Sequence, residues 1–109
     1  QLDFLVVIDT DGHPSCEAGD VLLPIATHVE TAGTFTNRQR RVQLARQAFA
    51  PPGQVQEGWL VLSELGRRIT GWELHPSAES VFKEIAAQTP AFAGLDYGKI
   101  GLHGTDLGA

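Results

Sequence analysis

Methionine is missing from all 109 residues, including position 1, so residue 1 is not an intact translation start and a piece of a longer chain is expected. Cysteine occurs once, as Cys16. One thiol closes no disulfide within the chain, and alone it builds neither a thiolate zinc site nor an iron–sulfur cluster. Long hydrophobic runs are missing too: no stretch reaches the roughly 18 apolar residues of a membrane span, and Leu2 to Ile8 is short and begins beside Asp3. Neither direct membrane insertion nor a signal peptide is expected. Basic residues are scarce, eight Lys and Arg against thirteen acids for a net charge of -5, so a nucleic-acid phosphate track is not expected either. The scarcity is local. Residues 1 to 37 hold six acids and no Lys or Arg, and then Arg38, Arg40, Arg41 and Arg46 crowd into nine residues without an acid.

The remainder is a folding composition, 42% hydrophobic with 12 Gly and 6 Pro, enough for one compact core joined by irregular connections. Leu2 and Phe4 to Ile8 are rich in β-branched residues and lack the alternation of a half-wet strand, which predicts a buried parallel strand ending in the turn residues Asp9-Thr10-Asp11-Gly12. Ser15 is expected to cap a short helical turn, and Val21-Leu22-Leu23 reads as a second strand closed by Pro24. Ile25 to Asn37 follows neither period and is expected to be a structured loop, with Gly33 allowing close backbone approach and Thr34, Thr36 and Asn37 bonding nearby backbone. Arg41 to Leu44 reads as a short strand.

Trp59, Leu62, Leu65, Gly66 and Ile69 recur at helical spacing, with Arg67 and Arg68 in the last turn and Gly71 beyond, and Trp59 is expected in the core. A second helix is predicted from Ser77, its cap, to Gln88, burying Val81, Phe82, Ile85 and Ala86, and Thr89-Pro90 stops it. The glycine-rich tail after Pro90 is expected to cross another surface. The chain is thus α/β, sheet-rich first and helical second.

Few residues suggest chemistry. His13, His28, His75 and His103 lack metalloprotease spacing; His28 and Glu30 are the one pair able to share a metal or a proton in an extended loop. Asp9, Asp11, Glu17 and Asp20 miss the central glycine and terminal Glu of a calcium loop. Cys16 has no assignable base and reads as a packed thiol. Asp9 stands out by position, because an acid beyond the carboxyl end of a parallel strand is placed to read a ligand edge. The arginine stripe offers phosphate binding or, more simply, a solvated or ion-paired contact surface.

The ordered series Gly19-Asp20-Val21-Leu22-Leu23-Pro24, Ala26-Thr27, Glu30, Gly33-Thr34-Phe35-Thr36-Asn37 and Arg41-Val42-Gln43 resembles the large-subunit family of molybdopterin oxidoreductases. Pro51-Pro52-Gly53, Trp59, Glu64-Leu65-Gly66-Arg67-Arg68 and Thr89-Pro90-Ala91-Phe92 continue it, so the resemblance covers nearly the whole chain. It implies an internal or late fragment: the edge of a Rossmann-like α/β domain over residues 1–50, a helical continuation over 51–90, and an extended crossing or tail over 91–109. It also implies cofactor-side positions at Asp9, Glu30, Gly33, Thr34, Asn37 and Arg41.

The family includes formate dehydrogenases and the large iron–sulfur subunit of respiratory complex I. Where its enzymes commonly carry Gln-Asp and then T-x-T-A, this chain has Ile8-Asp9 and His13-Pro14-Ser15-Cys16, and Ile cannot make the hydrogen bonds of Gln. The first expectation is therefore a scaffold fragment of the complex I subunit, supporting electron transfer from NADH to quinone without a redox centre of its own. That setting implies iron–sulfur clusters elsewhere in the parent, contacts with other domains of the subunit and with other respiratory-complex subunits, and a cytoplasmic peripheral arm. The second expectation is a formate dehydrogenase segment walling molybdopterin guanine dinucleotide. A third is a free-standing binding or assembly module. In the first two the parent, not these residues alone, would do any catalysis, and the third is non-catalytic.

Overall fold

The computed structural model describes residues 2–108. They form a mixed α/β structure that packs as two compact units, one of residues 2–31 and 48–74 and the other of residues 32–47 and 75–108. These boundaries do not follow the expected serial division at 50 and 90. The chain leaves the first unit at Thr31, contributes a hairpin to the second, and returns at Ala48.

In the first unit, the β-branched run Val6, Val7, Ile8 forms β1 (Val6–Asp9), which pairs in parallel with β2 (Val21–Pro24), Val6 opposite Val21 and Asp9 opposite Pro24. A parallel pair needs a crossover, and residues 10–20 supply a short one built around a 3₁₀ turn at Pro14–Ala18. The Ser15 side chain, expected as its cap, lies outside the described residues. Gly19 brings the crossover down onto β1: a Cβ there would stand 2.7 Å from Val7 Cγ2. The next residue anchors the return, Asp20 Oδ2 accepting the Leu5 N–H at 2.8 Å. The direction of the first strand is as expected, but not its extent or burial, since it starts at Val6 and leaves Phe4 62% exposed. Two strands alone cover one another's backbone and not both faces.

Beyond Pro24, the Ile25 N–H extends the ladder to the Asp9 carbonyl at 2.9 Å, and Ala26 N–H bonds the Gln56 carbonyl at 2.8 Å. Gln56 leads into α1 (Gly58–Thr70), which carries the predicted apolar spacing. Arg67 and Arg68 lie at the negative end of its dipole, and Gly71, left-handed at φ 77°, stops it. Its stripe is only partly covered: Leu62 and Ile69 remain exposed and Trp59 is half-buried rather than central.

The second unit holds an antiparallel sheet of β3 (Gly33–Thr36), β4 (Arg41–Ala45) and β5 (Thr105–Asp106), in that order. β3 corrects the expected loop. Its four residues, a glycine, a phenylalanine and two β-branched threonines, are too few to show a period, and pairing with β4, Thr34 opposite Leu44 and Thr36 opposite Val42, makes them a strand. α2 (Ala78–Gln88) starts in a reciprocal box, Ser77 Oγ accepting the Ser80 N–H and Ser80 Oγ accepting the Ser77 N–H, each at 3.2 Å. Phe82 and Ala86 are buried as expected, whereas Ile85 is 40% exposed.

The tail is not extended. It folds through a 3₁₀ turn at Pro90–Phe92 and α3 (Tyr97–Ile100) into the core, where Val42, Phe82, Ala86 and Ile100 pack with Phe92, Leu95, Tyr97 and Leu107. Phe92 stands edge-on to Phe82, ring centres 5.9 Å apart. Apolar residues spaced by glycines thus reach a core without a helical or strand period. Gly104, left-handed at φ 74°, lets the chain pass β4 so closely that a Cβ would fall 2.6 Å from the Val42 carbonyl oxygen.

Candidate functional site

In the first unit both parallel strands end on the same side, and there the chemistry-bearing residues gather. Asp9 is the last residue of β1 and is half-buried. Its Oδ1 accepts the Thr10 N–H at 2.7 Å, a local bond set by turn chemistry. Among the described residues its Oδ2 receives the weak Cys16 thiol donor at 3.8 Å, and that thiol also points at the Asp11 carbonyl, 3.6 Å away. Desolvation first, and the Asp9 charge second, push the thiol above its usual pKa. Cys16 is therefore a neutral thiol at physiological pH, neither a nucleophile nor a ready metal ligand.

Past β2, the turn at Thr27 is clamped twice: Glu30 N–H bonds the Thr27 carbonyl at 3.0 Å, and Glu30 Oε2 accepts the Thr27 N–H at 2.9 Å. Thr27 Oγ1 is buried and has no hydrogen-bond partner among the described residues. A buried hydroxyl without a partner costs desolvation, which sets Thr27 apart from its neighbours in the turn. Glu57, one residue before α1, gathers two donors on one oxygen: Thr31 Oγ1 at 2.8 Å and Trp59 Nε1 at 2.6 Å.

Thr27, Thr31 and Glu57 were not singled out from sequence. An acid two residues before a tryptophan at a helix start was the available signal for Glu57. Thr27 belongs to the Ala26-Thr27 piece of the family resemblance, but nothing in the sequence marked its hydroxyl as isolated, because that depends on burial.

The six expected cofactor-side positions fall in both units. Asp9 and Glu30 lie in the first, Glu30 committed to the Thr27 backbone. Gly33, Thr34, Asn37 and Arg41 lie in the second. A Cβ on Gly33 would meet nothing within 4 Å, so no close approach within this unit demands glycine there. Asn37 Oδ1 accepts the Arg41 N–H at 3.0 Å and closes the hairpin. Arg41 donates to the carbonyls of His103 and Gly104 at 3.2 and 3.3 Å and meets Asp106 Oδ2 at 3.4 Å, tying β4 to the tail. His28 is exposed, and among the described residues no group of three or more His, Cys, Asp or Glu lies close enough to hold a metal ion.

A groove of about 530 Å³ opens beside β2 and α1, lined by Leu23, Leu60, Val61 and Leu65 with Gln56, Glu64 and Arg68. Glu64 spans both arginines, Oε2 accepting Arg67 Nε at 2.8 Å and Oε1 accepting Arg68 Nε at 2.7 Å, and these bonds hold its carboxyl down to about 2. No helix among the described residues is long and apolar enough to cross a membrane.

Residues 1–68 match the family described as molybdopterin oxidoreductase. The chain is 38% identical over 105 residues to the F420-dependent formate dehydrogenase subunit alpha of Methanocaldococcus jannaschii, covering 94% of this chain and 16% of that protein. It matches the F420-dependent formate dehydrogenase 2 and 1 alpha subunits of Methanococcus maripaludis at 38% and 37% identity over the same length. The chain spans about a sixth of the length of these relatives.

Proposed function

Because the chain belongs to the molybdopterin oxidoreductase family, we propose that it is the cofactor-supporting segment of the alpha subunit of a molybdenum-dependent formate dehydrogenase. The relatives support this over the complex I reading, since those matched across 94% of the chain are formate dehydrogenase alpha subunits. In this reading β1 and β2 are two strands of a larger Rossmann-like parallel sheet, and the ligand lies beyond their carboxyl ends. The observation that carries it is that the same unit holds Asp9 at the end of β1, its Oδ2 taking a weak thiol donor, and Thr27 beyond the end of β2, its buried hydroxyl without a partner among the described residues.

Those two groups fit the pterin dinucleotide. A carboxylate accepts from ring N–H and exocyclic amino groups, as a guanine or pterin edge presents, and a threonine hydroxyl either accepts or donates. Asp9 would hold the ligand's edge. Glu30 would fix the Thr27 turn. When bound, the cofactor and its molybdenum supply the two-electron redox chemistry for formate; these residues bind, orient and exclude water. The metal ligand, the iron–sulfur clusters and the residues touching formate would lie elsewhere in the parent subunit, within a multi-subunit oxidoreductase.

Asp9→Asn in the full-length subunit tests the assignment. Asn keeps the size but replaces one acceptor oxygen with a donor, so molybdenum and guanine nucleotide released from the purified protein should both fall. Full content of both, with wild-type retention of the fold, would remove Asp9 from the site.

A further inference from the structure

The turn that follows β2 is held from outside itself at its entry, its middle and its exit, all within the first unit. At the entry, Ala26 N–H bonds the Gln56 carbonyl at 2.8 Å, and Ile25 bridges Gln56 in parallel. In the middle, the Val29 carbonyl accepts Ala48 N–H at 2.8 Å and Phe49 N–H at 3.2 Å. At the exit, Thr31 Oγ1 donates to Glu57 Oε2. Backbone supplies the acceptors at the first two places, and a side chain supplies the acceptor at the third.

Gln56 and Glu57 are consecutive, so one short segment grips both ends of the turn. That segment is itself fixed. A Cβ on Gly58 would stand 3.3 Å from Ile25 Cδ1, and Trp59 Nε1 donates to the Glu57 oxygen that Thr31 uses. The turn does not need Glu57 for its shape, because the Glu30 N–H and the Glu30 carboxylate already close it on Thr27. What Glu57 adds is placement of the turn against β2 and the start of α1.

We propose that Glu57 is a positioning residue for the cofactor site: through Thr31 it holds the turn of residues 27–31 where Thr27 meets a ligand beyond the ends of β1 and β2. This rests on the cofactor reading of that end of the sheet. Glu57 itself touches no ligand. It keeps Thr27 in place before binding, so that less conformational entropy is lost when the pterin dinucleotide arrives.

The test follows the rate at which guanine nucleotide is lost from the purified full-length subunit. Thr27→Val reads the underlying site, since it removes the hydroxyl and keeps the shape. Glu57→Ala should speed the loss about two- to tenfold, the range spanned by one ordinary hydrogen bond. Glu57→Gln keeps an acceptor oxygen for both donors and should recover most of the retention. Thr31→Val breaks the same link from its other side and leaves Glu57 with Trp59, so it reads the link even where Glu57→Ala folds poorly. It too should speed the loss. Joining Glu57→Ala to Thr27→Val should release nucleotide no faster than Thr27→Val alone, because a displaced hydroxyl and a missing one forfeit the same contact. Additive effects would mean general loosening and overturn the proposal. So would faster amide exchange over residues 27–31 in Thr31→Val and Glu57→Ala with nucleotide lost at the wild-type rate; if Thr27→Val is impaired in that case, the cofactor reading survives. Wild-type retention in Thr27→Val would remove Thr27 from the site and the proposal with it.

Discussion

Trp59 donates its indole N–H to Glu57 Oε2 at 2.6 Å, and the same oxygen takes the hydroxyl of Thr31, 26 positions back in the chain. One carboxylate thereby links the loop after β2 to the start of α1. Glu57→Ala would leave both donors without their acceptor, and the charge-assisted bonds lost should cost about 1–3 kcal/mol of local stability. Amide exchange in the full-length protein is the appropriate measurement, since a multidomain chain has no single unfolding equilibrium. Residues 27–31 and 59–62 should exchange faster, with β4 unchanged. Trp59→Phe should show a smaller effect, because Thr31 keeps its bond.

Gly104 and Gly33 separate two reasons for a glycine. At Gly104 the backbone is left-handed and a Cβ would lie 2.6 Å from the Val42 carbonyl, so Gly104→Ala must move β4 or the tail and should cost at least about 1–3 kcal/mol. At Gly33 the backbone is ordinary and the space open, so Gly33→Ala should leave stability within about 0.5 kcal/mol. Exchange protection of β3 to β5 reads both. If Gly33 faces the cofactor, its alanine variant should instead lower pterin content at unchanged protection.

The sequence made the periodic elements legible and concealed those defined by their partners. α1 and α2, with the Ser77 cap and the Gly71 stop, followed from spacing and end chemistry that act within a few residues. β3 did not, because Gly33-Thr34-Phe35-Thr36 becomes a strand only against β4. The tail misled for a related reason: Phe92, Leu95 and Ile100 are set apart by glycines, and only the fold brings them to Phe82. At the site, Asp9 was readable because a strand end is a sequence feature. The lone hydroxyl of Thr27 is a property of burial, and the commitment of Arg41 to the His103–Asp106 segment joins residues more than 60 positions apart.

The single thiol gives a test of the Asp9 geometry that needs no cofactor. Desolvation and then the Asp9 charge hold Cys16 above its ordinary pKa, so the thiolate fraction at neutral pH is below that of a free cysteine and alkylation should be slow. Asp9→Asn removes the charge but not the desolvation. The midpoint of the rate–pH profile for iodoacetamide should therefore move to lower pH without reaching the free-thiol value. An unmoved midpoint would mean that Asp9 does not face the sulfur.

Glu64 provides the acid-side counterpart. Its side-chain bonds to Arg67 and then Arg68 lower its carboxyl from 4.5 to about 2. A depressed folded-state value means that the unfolded chain takes up the proton first, so this contribution is complete above about 4.5 and is lost as the pH falls through about 2. Glu64→Gln deletes the charge and with it the dependence. Exchange protection of α1 should therefore be greater in the wild type at pH 6, and the gap between the two proteins should close between pH 4.5 and 2. Both arginines remain at the helix C-terminus in the variant, where the dipole still favours them, so α1 should persist with weaker protection rather than unfold. A gap that stayed constant down to pH 2 would place the stabilisation in packing of the Glu64 stem beside the groove instead of in its charge.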